Sequence, residues 1–230
     1  MKCFIIFFAL IVPVGVNAMS RADVELYPEV ARYSEMRIAE FDQIPADRKL
    51  VLEKVSAFIR SQRERDQPAR LIFVCTHNSR RSHLGQIWAQ AAAAYYRIPG
   101  VEASSGGTEA TAFNPRAIAA LERCGIQIRV SEPRKDNPRY SVTFDSSGAF
   151  LVGFSKVYNA PPNPTENFCA VMTCTQADES CPVVPGCDSR ISVPYEDPKI
   201  SDNSPEESET YDLRCRQIAR EMFYVMWRVR

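Results

Sequence analysis

Residues 71–88 read LIFVCTHNSRRSHLGQIW. Four apolar residues, Leu71 to Val74, run into Cys75; a short polar loop follows, then Arg80, Arg81 and Ser82, then a helical pattern. The apolar run reads as a buried strand, so the cysteine stands where strand gives way to helix. At such a junction the first amides of the helix point outward unpaired. The helix dipole adds partial positive charge, and the place suits an anion. A cysteine there could be no more than a small hydrophobe closing a core strand. The helix N-terminus and the adjacent arginines argue otherwise, because both stabilise a thiolate. Cys75 has the surroundings of a nucleophile.

Working outward, residues 46–66 place Leu50, Val51, Val55, Phe58 and Ile59 at helical spacing behind Pro45, which predicts an added helix packed on the domain. The first strand is 70–75, and the helix after the loop runs from Arg80 to Arg97. GVEASSGGTEA at 100–110 reads as a second strand with a glycine-rich exit. Asn114 then caps a helix that has Pro115 at its first position and Gly125 just past its end. Short strands are expected around IQIRV and YSVTF; FLVGFS at 150–155 and FCAVMTC at 168–174 are continuous apolar runs suited to a buried sheet. NAPPNPTEN between them is a surface loop, and RISVPY is a candidate last strand. Ser204, followed by Pro205 and acidic residues, is expected to cap a long last helix that buries Ile218, Met222, Val225 and Val229. Strands alternating with helices imply an α/β domain with a parallel sheet covered on both faces. Sites in such sheets lie at the carboxyl ends of the strands. Cys75 and Cys174 both close a strand and can share that edge.

A chain of 230 residues with 45% hydrophobic composition suits one such domain with a full core. The 28 basic and 28 acidic residues cancel, and no basic tract or aromatic–basic interleaving points to nucleic acid.

Cys75, five intervening residues, Arg81 and Ser82 form a C-x5-R-S loop. With it the sequence resembles the low-molecular-weight tyrosine phosphatases and the thioredoxin-coupled arsenate reductases, which share that fold and loop. The resemblance covers about residues 70–226: SSGGTEATAFNPRAIAALERCGI looks like the family's second strand and following helix. VMTCTQADESCP resembles the segment where the reductases carry two further redox cysteines, here Cys174 and Cys181 with six residues between them. YEDPK supplies the family's late Asp-Pro as Asp197-Pro198. Departures at three places bear on substrate rather than chemistry. His77 stands where glycine is usual, Arg80 where a second cysteine is frequent, and Lys199-Ile200 where the phosphatases carry an aromatic pair.

The resemblance implies a role for each residue. The amides of Thr76, His77, Asn78, Ser79, Arg80 and Arg81 would cradle a tetrahedral oxyanion, with the Arg81 guanidinium on two of its oxygens. Asn78 holds the loop's shape, since Asn tolerates a left-handed backbone. Ser82 donates to the Cys75 sulfur, and Asp197 protonates the departing oxygen. His77, which the family pattern does not supply, is expected from its place in the loop to face the anion. Read without the resemblance, Asp197 is a turn-forming Asp before proline. In an arsenate reductase Cys174 attacks the Cys75 adduct, Cys181 then takes Cys174, and thioredoxin reduces that disulfide. A tyrosine phosphatase needs only Cys75 and then water, and a non-catalytic phosphate-binding module needs neither thiolate nor acid. Of these the reductase is the favoured reading, with no cofactor. A zinc site competes, because Cys169, Cys174, Cys181 and Cys187 sit within nineteen residues, but no C-x2-C pair occurs and no metal is expected. Cys169 lies an odd number of positions from Cys174, which puts it on the opposite strand face as core. Cys124 and Cys215 read as structural, and Cys187 has no evident place. His83, in the first turn of the helix, reads as loop packing.

The N-terminus, MKCFIIFFALIVPVGVNA, has one basic residue, an apolar run from Cys3 to Val16, and Val16-Asn17-Ala18 as a cleavage site. This is signal-peptide-like, and short of the about 20 residues of a membrane span. The competing reading starts translation at Met19. Thiol chemistry favours the cytoplasm over an oxidising compartment, with export to the periplasm if residues 1–18 are a true signal. The expected organisation is therefore 1–18 as leader or mis-assigned start, 19–69 as a helical extension, and 70–230 as the catalytic domain, with no membrane partner for the mature chain.

Overall fold

Strand β1 (Ala69–Cys75) lies at the centre of the molecule and divides its core in two. The structure, a computed structural model, describes residues 25–180 and 183–230. The readings made above for residues 1–18, for a start at Met19 and for Cys181 lie outside the described residues. Alternation along β1 sends Leu71 and Phe73 to one face and Ile72 and Val74 to the other. Strand β2 (Val101–Gly107) flanks it on one side, with β6 (Phe168–Met172) and then β7 (Cys187–Ser192) on the other. All are parallel, in the order β2-β1-β6-β7. Register pairs Cys75 with Gly107 and Val74 with Met172, so the chain leaves all three strands at one edge.

Helices cover the two faces unequally. Helices α1 (Pro28–Ile38), α2 (Ala46–Glu64), α3 (Arg81–Tyr95), α4 (Pro115–Arg123) and α6 (Glu207–Trp227) all feed the core on the Leu71 and Phe73 side. The Ile72 and Val74 side is closed by the short α5 (Thr175–Ser180), through Ala177, and by Tyr158 and Val184. The architecture is the expected parallel sheet flanked by helices. No described helix is long and apolar enough to cross a membrane.

Several expectations need correction. FLVGFS does not join the parallel sheet. Only Leu151–Gly153 is strand (β5), and it pairs antiparallel with β4 (Arg139–Thr143), which pairs with β3 (Gln127–Glu132). Phe150 is 58% exposed, so the run is a half-covered edge; apolar runs of this length look alike in either setting. Ser204 is not the cap of α6. Glu206 holds that position, and the Ser204 hydroxyl accepts from the Glu206 amide in the turn before the helix. The buried face of α6 does carry Ile218, Met222 and Val225; Val229 is buried too, but just past the end of the helix. On α2, Val55, Phe58 and Ile59 are buried, but Leu50 is 66% exposed and Leu52 fills the core instead. Helix α1 is an element the sequence reading did not foresee. Asn114 caps α4 by accepting from the Arg116 amide, and Gly125 follows the helix at φ +92°, where a side chain would be strained.

Candidate active site

The loop from Thr76 to Arg80 joins β1 to α3, and its carbonyls are tied outward. Thr76 O accepts from the Glu109 amide at 2.8 Å and the Thr108 hydroxyl at 3.1 Å. His77 O accepts from Thr111 and Ser155 hydroxyls, and Ser79 O from the Asn114 amide at 2.9 Å. Asn78 has φ 43°, the left-handed turn expected of it. Its side chain donates to Ser82 Oγ at 2.8 Å and accepts from the Lys156 amide at 2.8 Å. Gly107 is the floor beneath: a Cβ there would fall 2.7 Å from both Thr76 O and the Asn78 amide nitrogen. Among the described residues, the amides of Thr76 to Arg81 meet no protein acceptor. Carbonyls held outward and amides left free make a nest for an anion.

Cys75 is buried at the end of β1, its sulfur 3.1 Å from Ser82 Oγ. Because Asn78 already donates to that oxygen, the Ser82 hydrogen is free to point at the sulfur. Arg81 donates to Tyr195 O at 2.8 Å and to Asp197 Oδ2 at 2.6 Å. Its Nε is buried without a protein acceptor among the described residues. The other oxygen of Asp197 accepts from the Lys199 amide at 3.1 Å and caps the 3-10 turn Pro198–Ser201. Asp197 thus both forms the turn and pairs with the loop arginine. Arg80 turns away from the loop, to Tyr211 Oη at 2.7 Å and Asp202 at 3.2 Å, so only its amide is left for an anion.

The two histidines part company. His83 is fully buried between Asn78 O at 3.0 Å and Ser105 Oγ at 3.2 Å, and it stacks on Phe113. Burial, with the Lys156 charge nearby, pushes its pKa down to about 3. It is neutral at physiological pH and holds the loop. The expectation that the His77 ring faces the anion is not met: the ring lies at the exposed rim, 3.7 Å from the Glu109 carboxylate. Glu109 stands two positions past the end of β2.

Cys174 is buried beside the loop, its sulfur 3.5 Å from the Thr76 hydroxyl and 3.4 Å from the Ala177 amide. Cys169 lies in the core on the other sheet face, and burial pushes its thiol up to about 12. Cys187 opens β7, where burial raises its pKa. The four-cysteine zinc arrangement thus loses Cys169 to the opposite face. Among the described residues no three metal-ligating side chains come together. Sequence reading missed Asp202 and Tyr211, which anchor Arg80, and Ser105 and Lys156, which hold His83 and Asn78. Two consecutive arginines could have signalled a second acidic partner, but nothing local names Asp202 as that partner.

Fold and loop together make a site suited to a cysteine nucleophile acting on a bound oxyanion. The chain is similar to an arsenate reductase of Staphylococcus epidermidis RP62A, 26% identical over 130 residues, which are 56% of this chain and 77% of that protein. Among solved structures it is similar to a low-molecular-weight phosphotyrosine phosphatase from Vibrio cholerae O395, at 13% identity and a TM-score of 0.43, covering 68% of this chain and 93% of that one. It is also similar to an arsenate reductase in its phosphate-binding state, at 16% identity and a TM-score of 0.41, covering 70% and 99%. No protein-family model matches the chain. The sequence likeness is thus to arsenate reductases, at 26% identity.

Proposed function

We propose that this chain reduces arsenate to arsenite, with Cys75 as nucleophile, Cys174 as the second thiol and thioredoxin as the final reductant. The observation that carries the reading is Cys174, a buried thiol that touches the loop through Thr76. Hydrolysis has no use for a thiol there; reduction requires one. The arsenate reductases among its relatives support the same choice.

In this mechanism the loop amides and Arg81 hold arsenate, and the Cys75 thiolate attacks arsenic. Asp197 gives a proton to the oxygen that leaves as water. Cys174 then attacks the Cys75 sulfur, forming the Cys75–Cys174 disulfide. The sulfur–arsenic electron pair stays with arsenic, which departs as arsenite. Cys181 attacks Cys174 and frees Cys75, and thioredoxin reduces the Cys174–Cys181 disulfide. Residues 70–230 would carry this chemistry, with α2 of the 19–69 extension packed against β1 and β7.

Phosphate-monoester hydrolysis is the second reading, because Cys75, Arg81 and Asp197 are gathered without help from Cys174. Arsenate-dependent NADPH oxidation in the presence of thioredoxin and its reductase decides between them. Turnover supports reduction. No oxidation, together with hydrolysis of p-nitrophenyl phosphate that Cys75→Ser removes, gives the chain to the phosphatases.

A further inference from the structure

On the helix-rich side of the sheet, away from the loop, two more cysteines meet. Cys124 ends α4 and Cys215 lies in the middle of α6, 91 residues later, with their sulfurs 3.8 Å apart. Contact between sulfurs is where packing alone would be content with any small apolar pair. Two further features go beyond packing. First, the pair is polar: the Trp88 indole N–H donates to Cys215 Sγ at 3.2 Å, and Cys124 Sγ donates to Ala120 O at 3.1 Å. Second, Cys124 lines an open depression of about 440 Å³ with Tyr33, Arg37, Arg123, Asp212 and Arg216, whereas Cys215 is wholly enclosed. One thiol can meet a small solute, and the other can meet only its neighbour.

We propose that Cys124 and Cys215 are a second redox-active dithiol, oxidised by peroxide to a disulfide that staples α4 to α6. Cys124 reacts first. The hydrogen bond from Cys215, with help from Tyr33, holds its thiol below the ordinary range despite burial, while burial holds Cys215 well above it. A low thiol at the mouth and a high one behind it is the order of attacking and resolving sulfurs. The Cys124 thiolate attacks one oxygen of hydrogen peroxide and breaks the O–O bond; with one proton taken up, this gives Cys124 sulfenic acid and water. The Cys215 thiol then attacks the sulfenic sulfur, releasing a second water. Two thiols lose two electrons, peroxide gains them, and a dithiol reductant reverses the change.

The staple would join two helices that each reach the loop. The cap of α4, Asn114, donates its amide to Ser79 O, and Tyr211 of α6, one turn before Cys215, accepts from Arg80.

The test uses the full chain carrying Cys75→Ser, Cys174→Ser and Cys181→Ser, so that the proposed loop thiols cannot contribute. After hydrogen peroxide, quenching by alkylation and non-reducing digestion, mass spectrometry should find Cys124 and Cys215 peptides linked, and dithiothreitol should separate them. Adding Cys215→Ala should leave Cys124 as a sulfenic acid trapped by dimedone. The linked peptide in the parent protein supports the proposal even if Cys215→Ala fails to fold. Both cysteines recovered reduced after peroxide, or Cys124 over-oxidised without a link while Cys215 is present, overturns it.

Discussion

Ser82→Ala takes one oxygen from a three-member chain and should be felt in two separate quantities. The Ser82 hydroxyl stands 3.1 Å from the Cys75 sulfur and accepts from Asn78 Nδ2 at 2.8 Å. A hydrogen bond to a charged group is worth about 1.5–3 kcal/mol, and a thiolate in this loop would lose one. At about 1.4 kcal/mol per tenfold, kcat should fall by about 10- to 100-fold. The loss belongs in kcat, because the anion is held by the loop amides and Arg81, which the substitution leaves in place. The Kd for inorganic phosphate should stay within about threefold, since every proposed anion donor remains. The same change strands Asn78 Nδ2 in a buried site, which costs about 1–3 kcal/mol of folding stability. Steady-state kinetics with p-nitrophenyl phosphate, phosphate titration and urea denaturation measure the three separately. A kcat within threefold of wild type, or a loss confined to KM, would refute the claim that Ser82 serves the sulfur.

Cys75→Ser should abolish all turnover yet bind phosphate, since the amides and Arg81 hold the anion while the thiolate reacts; retained turnover ends the nucleophile assignment. Asp197→Asn should slow substrates with poor leaving groups by about 10²- to 10⁴-fold and p-nitrophenyl phosphate much less; equal effects on both would mean another residue is the acid. Cys174→Ser should stop arsenate reduction after a single adduct while leaving phosphate-ester hydrolysis in place, and wild-type reduction in that variant would sink the reductase reading. His83 is held neutral, its pKa moved from 6.5 to about 3, so its contribution to stability is full above 6.5 and is lost as pH falls toward 3. Urea midpoints should therefore drop between pH 7 and pH 4 in the wild type, by at most about 1.4 kcal/mol per pH unit for this one group. His83→Gln should show a flatter fall; an unchanged slope would show that other groups govern it.

What could be read from the chain was whatever depended on neighbours in sequence. Leu71 to Ser82 is a strand, turn and helix start with no long-range ambiguity, and it appears where the pattern put it, as do the Asn114 cap and the buried stripe of α6. What escaped depended on partners far along the chain. FLVGFS reads like a central strand, but only the pairing of Tyr140 with Gly153 assigns it to the antiparallel sheet. Leu50 and Leu52 are equally good core residues by composition, and only the packing of α2 on β1 chooses between them. The loop's chemistry was legible as residue types, yet its wiring was not. Arg80 reaches Asp202 and Tyr211 more than a hundred positions away, and His77 goes to Glu109 rather than inward. Nothing local distinguishes the arginine that faces the site from the one that braces it.

The pairing of Arg81 with Asp197 at 2.6 Å has a consequence for selectivity. The guanidinium already carries a carboxylate of the protein's own, so an arriving anion meets an internal competitor at Arg81 Nη2. A monovalent ion such as chloride offers one charge and no second oxygen, and gains little from the exchange. A doubly charged tetrahedral oxyanion can replace the Asp197 oxygen on Arg81, take the buried Nε as well, and reach the loop amides. The pairing therefore favours a divalent oxyanion over a monovalent ion at Arg81. The group displaced from Arg81 would be the carboxyl proposed as the acid, so on that reading admission of the right anion and release of the acid are one event.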